Sequence, residues 1–343
     1  MLVTQQPTLK RFWYPVIPLS ELANGPKPFE LLGEKIVLWL DGQGKPAAVR
    51  DRCCHRSARL SQGKIIDGNI RCPYHGWSFD RSGACVKVPQ LTHDLIPRTY
   101  RVDGYRCEER YGYVWVCLSD PLLPIPKISE ASDPQFRQIH EFYEVWHCAG
   151  LRLMENSFDN AHPHFVHSST FGVEQEPVPP EPDFFEETDF GLRMKYVLPV
   201  FNSDVQKQNL QMEATRTVRI SEGTWFMPFI RTLKISYPNG LTHLIFTAAT
   251  PIDDTSSQLV QFCLRNDTEA DATAESVIAF DRTVTLEDQA ILEGTDYDVP
   301  LSISKEQHMA SDKPGIVMRH KLAGLLKAQG EVEQTGRKLG IEN

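Results

Sequence analysis

The sequence predicts an α+β protein in two parts: an all-β module over residues 1–128, then an antiparallel sheet with helices over residues 129–343. Three observations carry this. The first third alternates short apolar runs with turn dipeptides, the punctuation of small strands. A proline-rich stretch follows, Pro121, Pro124, Pro126 and then Asp133-Pro134, which reads as a linker. Beyond it, helix-period segments bracket a series of strand-like runs, the arrangement of an α+β domain. The length of 343 residues agrees, since roughly 150 residues per domain is the usual prior.

In order along the chain, strands are predicted at Lys35–Leu40, Ala47–Arg50, Ile70–Arg71, Gly76–Phe79, Tyr100–Cys107 and Tyr113–Leu118, with turns at Asp41-Gly42, Asp67-Gly68 and Ser82-Gly83. After the linker, Leu151–His167 has apolar residues at 151, 153, 154, 158, 161 and 165, close to helical spacing. Gln175–Pro182 reads as a proline-rich loop. Strand-like runs follow at Met194–Val200, Gln211–Ile220, Leu233–Tyr237 and Leu241–Ala248, then a long helix at Ser276–Leu292. The tail, His320–Leu339, reads as a polar helix without chemistry.

Lys+Arg 36 against Asp+Glu 45 gives a net charge of −9 with no long basic run, which argues against nucleic-acid binding. Hydrophobic content of 41% with 24% charged residues excludes gross disorder. The most apolar stretch, Tyr111–Leu118, is too short to insert in a membrane, and no secretory leader is read near Gln5-Gln6-Pro7. A cytoplasmic protein is expected.

That expectation makes metal binding or burial a better account of the eight cysteines than disulfides. Two of them sit beside histidines, in Cys53-Cys54-His55 and Cys72-Pro73-Tyr74-His75, with 16 residues between His55 and Cys72. Cys85, Cys107, Cys117 and Cys148 have no partner at ligand spacing and read as buried apolar residues. Two sulfur and two nitrogen ligands suit either tetrahedral zinc or a Rieske [2Fe–2S] cluster, and ligand counting leaves the two close. The surroundings favour a cluster loop: Pro73 fixes one φ, and Gly76 lets the backbone turn closely.

Asn156 to His167 holds three histidines, an aspartate and two asparagines in twelve residues. Asp159 and His162 are three apart and share a helical face. His162 and His167 are five apart, about 140° around an ideal helix. Pro163 is expected to break the helix just after His162, which brings both imidazoles to one metal. Two histidines and one carboxylate make the facial triad of non-haem Fe(II) oxygenases. The carboxylate comes from the late helix, where Val284, Asp288 and Ile291 form an apolar stripe that Glu287 and Glu293 miss. A carboxylate on a buried face needs a partner. Asp281 lies on the same stripe and competes with Asp288.

Both sites resemble those of the Rieske non-haem iron oxygenases. The signature C-x-H, a gap of 15 to 17, then C-P-x-H-G-W is met by Cys53, His55, Cys72 and His75. The resemblance implies that Cys53 and Cys72 hold one cluster iron and His55 and His75 the other, with Cys54 a bystander. Respiratory Rieske proteins add a cysteine to each loop; here Ala58 and Tyr74 or Pro73 stand there, so the likeness is to the oxygenase type. The family's D/E-x2-H-x4-H is met at Asp159, His162 and His167, and its late E-D-x-x-hydrophobic segment at Glu287-Asp288-Gln289-Ala290-Ile291. By analogy His162, His167 and Asp288 ligate a mononuclear Fe(II), Asp159 bridges to His75 of a neighbouring subunit's cluster, and Asn156 stands near the iron without ligating it. His164 matches no ligand position. The other histidines, 93, 140, 147, 243, 308 and 320, read as structural or exposed.

The resemblance further implies a terminal oxygenase that hydroxylates or oxidatively demethylates an apolar or aromatic small molecule with O2. Electrons would come from an external ferredoxin or a flavin/iron–sulfur reductase, because no nucleotide-binding glycine motif or ferredoxin spacing appears in the chain. Family members with such a bridge are homotrimers. The length is similar to that of the α-only phthalate, vanillate and dicamba group, and Arg11-Phe12-Trp13-Tyr14-Pro15-Val16 resembles the pigment oxygenases. The alternatives are a ring-dihydroxylating dioxygenase, a Rieske electron carrier without oxygenase activity, and a zinc-stabilised binding protein. Phe201, Trp225, Phe226, Phe229 and Phe246 are candidate substrate contacts, with ordinary core the better reading for each.

Overall fold

The computed structural model describes every residue except 93–94, 168–169, 172–177, 203 and 337–343. His93 and the start of the expected Gln175–Pro182 loop therefore lie outside the described residues. The chain forms two compact units, Pro7–Ile125 and Met1–Gln6 with Pro126–Asn343.

In the first unit, β1 (Tyr14–Pro18), β2 (Lys27–Leu31), β3 (Glu34–Leu40), β4 (Pro46–Arg50), β5 (Lys64–Ile66), β6 (Asn69–Arg71), β7 (Ser78–Phe79), β8 (Cys85–Lys87), β9 (Gly104–Arg110) and β10 (Tyr113–Cys117) form two antiparallel sheets. One is six-stranded, ordered β1-β10-β9-β4-β3-β2, and the other four-stranded, β5-β6-β7-β8. Val37, Trp39, Val49 and Phe79 are wholly buried between them with Cys53 and Cys72. Trp39 donates its Nε1–H to Gly68 O at 2.9 Å, so its polar edge is satisfied where its ring fills the core. The strand expected at Tyr100–Cys107 begins only at Gly104. Arg101 makes a lone bridge to Ala84, and Asp103 O is taken by the Arg50 amide.

In the second unit, β11 (Arg137–Trp146), α1 (Gly150–Ser157), α2 (Pro163–Val166), β12 (Phe184–Thr188), β13 (Gly191–Phe201), α3 (Asp204–Leu210), β14 (Arg216–Phe226), β15 (Ile230–Ser236), β16 (Thr242–Pro251), β17 (Ser257–Arg265), α4 (Ala274–Leu292) and α5 (Lys313–Ala328) surround one seven-stranded antiparallel sheet, ordered β11-β17-β16-β15-β14-β13-β12. Strands β12 to β17 form a meander in sequence order, and β11 returns to close the edge beside β17. All nine residues of β17 are buried. Helix α1 packs on β15 and β16, α4 on β11 and α3, and α5 on β13 and α1.

Four expectations need correction here. The single helix Leu151–His167 is two, with residues 158–162 non-helical between them. The strand expected at Gln211–Ile220 starts at Arg216, because Gln211 has φ +53° and the Met212 amide turns back to Lys207 O at 3.0 Å, closing α3. The tail helix is Lys313–Ala328 and is not polar: Val317, Met318, Leu322 and Leu326 are buried. Ile291 is exposed, so the inward stripe of α4 does not run through it.

Candidate metal centres

The first constellation sits on two loops, one after β4 and one between β6 and β7. In the first, the Cys53 amide donates to Ala58 O at 2.8 Å and the Ser57 amide to Cys53 O at 3.0 Å. In the second, the Cys72 amide donates to Trp77 O at 2.8 Å and the Gly76 amide to Cys72 O at 3.2 Å. Gly76 has φ +74°, and a Cβ there would lie 3.2 Å from the Pro89 ring, so glycine answers both the turn and the space. These closures bring the His55 and His75 rings to 4.6 Å between centroids. Trp77 stacks on His55 at 4.6 Å and 4°, fixing that ring's plane. Cys53 and Cys72 are buried and Cys54 is exposed. Burial pushes the Cys53 thiol up to about 12, and the neighbouring Cys72 adds to it. His55 Nδ1 is buried with no hydrogen-bond partner. Two thiols and two imidazoles held this way fit an iron–sulfur cluster, whose charge would stabilise the thiolates.

The second constellation comes from the interruption between α1 and α2 and from α4. The break lies over residues 158–162, ahead of Pro163, rather than just after His162. The Ala161 amide donates to Asp159 Oδ1 at 2.7 Å, an Asx turn that competes with the helix. Pro163 then stands at the start of α2, where its missing N–H costs nothing. The consequence is the one expected, since His162 and His167 come to 5.2 Å between ring centroids. Their Nε2 atoms face the same oxygen, Asp288 Oδ1, at 3.5 and 3.3 Å. One donor atom from each of the three lies within 4.8 Å of the others. Asp288 Oδ1 and His162 Nδ1 are buried without hydrogen-bond partners, so the group fits a divalent metal better than it satisfies itself.

Around these three the electrostatics are concerted. Burial pushes His162 down, but the facing carboxylates of Asp159 and Asp288 outweigh it and lift it to about 9. Burial would raise Asp288, and the two imidazoles instead hold it well below the usual carboxylate range. His167 is 2% exposed, and its Nδ1 meets Glu287 Oε2 at 2.9 Å. Thr170 Oγ1 donates to the same oxygen at 3.0 Å. Sequence reasoning missed Glu287, reading it as off the stripe. Asp159 Oδ2 lies 3.6 Å from His162 Nδ1.

Asp281, the competitor, is elsewhere: its Oδ2 faces His243 Nε2 at 3.2 Å. The inward face of α4 carries Val277, Phe280, Asp281, Val284, Thr285 and Asp288 along a cavity of about 380 Å3. Asn156 and Asp159 also line it, as do Met194, Leu198, Leu210 and Ile245. None of Phe201, Trp225, Phe226, Phe229 and Phe246 is among the lining residues; Trp225, Phe229 and Phe246 are wholly buried core. Gly223 allows the wall to close, because a Cβ there would lie 2.9 Å from the Phe158 ring. Among the described residues no helix is long and apolar enough to cross a membrane.

Comparison with known proteins agrees with this geometry. Residues 12–105 match the Rieske [2Fe-2S] domain, and residues 146–328 match the vanillate O-demethylase oxygenase C-terminal domain. The chain is 31% identical to methylxanthine N1-demethylase of Pseudomonas putida over 339 residues, 96% of this chain and 92% of that protein. It is 30% identical to methylxanthine N3-demethylase of the same organism, over 94% and 91% of the two chains. The solved N1-demethylase with caffeine superposes with a TM-score of 0.83 at 28% identity, covering 98% of this chain and 99% of that one. Dicamba monooxygenase bound to dicamba shares the fold, with a TM-score of 0.79 at 20% identity over 94% and 98% of the chains. With a cluster module ahead of a non-haem iron domain, the chain belongs to the Rieske non-haem iron oxygenases, as the terminal oxygenase that carries both a [2Fe–2S] cluster and a mononuclear iron.

Proposed function

We propose that the chain is the oxygenase of an N-demethylating system whose substrate is a small methylated heteroaromatic ring of the methylxanthine kind. The observation that carries this is the convergence of His162, His167 and Asp288 on one wall of a largely apolar cavity, joined to near full-length similarity to two N-demethylases. In this reading residues 1–128 are the cluster domain and 129–343 the iron domain. Cys53 and Cys72 hold one cluster iron and His55 and His75 the other, while His162, His167 and Asp288 hold the mononuclear iron.

Bound there, the iron supplies O2 activation with electrons relayed from the cluster, and hydroxylation of a methyl carbon beside nitrogen gives a hemiaminal that collapses to formaldehyde and the N–H product. The chain's own groups set this up. Glu287 accepts the Nδ1 proton of His167 and leaves Nε2 free to ligate; Asp159 faces His162 Nδ1 from 3.6 Å. Leu198, Leu210, Ile245 and Val284 exclude water and hold the ring by its apolar faces. Asn156 stands beside the reacting position as a polar wall residue. The chain works as a cytoplasmic homotrimer, Asp159 lying next to the partner subunit's His75, with an external ferredoxin or flavin/iron–sulfur reductase as donor.

The test is turnover of the holoenzyme with a reductase, O2 and theobromine, measuring formaldehyde. Formaldehyde release matched to O2 uptake supports the reading. A dihydroxylated product without formaldehyde overturns demethylation, and a colourless zinc protein overturns the cluster.

A further inference from the structure

The cavity has a second polar region away from the proposed iron ligands. Asp281 lies two helical turns before Asp288 on α4, about 10 Å along the axis at 1.5 Å per residue, and is 6% exposed. Its Oδ2 faces His243 Nε2 of β16 at 3.2 Å, out of hydrogen-bond alignment. Glu141 of β11 and Cys263 of β17 complete a group with donor atoms within 4.8 Å of one another. Gln261 donates into it, Nε2 to Glu141 Oε2 at 2.6 Å, while its own oxygen accepts from Thr247 at 3.0 Å. A fixed amide donor is the wrong neighbour for a metal cage and the right one for a hydrogen-bonding pocket.

Burial pushes the Glu141 carboxyl up, with Asp281's charge adding to it. Burial opposes ionisation of Asp281 too, but His243 and Glu141 outweigh it and hold its carboxyl below the usual carboxylate range. Glu141 Oε1, His243 Nε2 and Asp281 Oδ2 remain without hydrogen-bond partners. Arg231 of β15 lines the same cavity. Its Nε is buried and likewise has no partner among the described residues, although it feels the charges of Asp288, Glu141 and Asp281. One cavity thus holds a buried guanidinium whose Nε has no partner and a buried carboxylate whose Oδ2 has none.

We infer that these two poles read the substrate: the Arg231 guanidinium donates to a ring carbonyl, and the Asp281 carboxylate accepts a ring N–H. The substrate class is then a lactam-bearing N-methyl heterocycle that retains one free N–H. A fully methylated ring would bury the Asp281 charge against a methyl group, and a site built around a hydrogen bond discriminates strongly against a ligand lacking it. A ligand carboxylate would be repelled by Asp281.

This rests on the demethylase reading, so the test measures binding without turnover. The anaerobic holoenzyme is titrated by calorimetry with the three dimethylxanthines, each keeping one ring N–H, and with caffeine, which has none. At least one dimethyl isomer is expected to bind about tenfold or more tightly than caffeine. Asp281→Ala should erase that preference and Asp281→Asn reduce it. Arg231→Met should weaken all four ligands, with Arg231→Lys recovering part of the loss. Equal affinity for caffeine and every isomer overturns the proposal, as does binding of none of them, even if formaldehyde is released from another methylated substrate. A metal beyond the cluster irons and one further iron, lost in Asp281→Asn, overturns it as well, because Asp281 would then be a ligand.

Discussion

Glu287 shows what a neighbouring residue contributes to a metal ligand. It touches His167 through the ring nitrogen that points away from Asp288, so it selects the tautomer and fixes the ring. Loss of such outer partners typically costs 10- to 100-fold in metal affinity or activity. Glu287→Gln is expected to lower mononuclear iron retention by about that range, read as iron per chain after dialysis, while the visible spectrum of the cluster stays unchanged. A lost cluster spectrum would mean that the fold, not the histidine, had been disturbed. At this scale the sequence was most legible where a site is local. Cys53, His55, Cys72, His75, Asp159, His162 and His167 sit in short runs whose spacing is itself the signal. Glu287 was invisible because side-chain reach, not helical phase, decides its contact, and His243 because its partner Asp281 comes from a distant helix.

Single elements tell a mixed story. Helix α4 lies close to the Ser276–Leu292 segment read from the sequence, and in the structure its first turn is capped: Thr273 Oγ1 accepts the Ser276 amide at 3.2 Å. Thr273→Ala is expected to cost about 1 kcal/mol, seen as a lower urea midpoint with unchanged slope. An unaltered midpoint would show that tertiary contacts hold that first turn without the cap. Strand β17 was not readable. Gln258, Gln261 and Arg265 break its apolar pattern; Gln261 and Arg265 are tolerated inside because they join networks with Glu141, Asn209 and Asp267 and do not meet solvent. The α1–α2 break shows a further limit: Pro163 correctly marked an irregularity, but a proline opens a helix as readily as it ends one.

For the whole molecule, the two-part organisation followed from local texture, whereas the pairing of the chain's distant strands did not. Asp159 is where the scales meet. Asp159→Asn is expected to leave both metals bound and the cluster reducible, while slowing single-turnover oxidation of the reduced cluster by about 10- to 100-fold. Loss of iron instead would make Asp159 a ligand and remove it from the electron path. The edge position of β11 has a consequence for how the chain is made. Arg137 pairs with Arg265 and Trp146 with Ser257, so β11 leaves the ribosome long before its partner exists, while the six strands that follow zip up hairpin by hairpin. Closing so long a loop is entropically slow, and an unpaired strand edge recruits other chains while it waits. Rapid overproduction therefore works against this protein, and slower synthesis at lower temperature shortens the queue of nascent chains carrying an open β11.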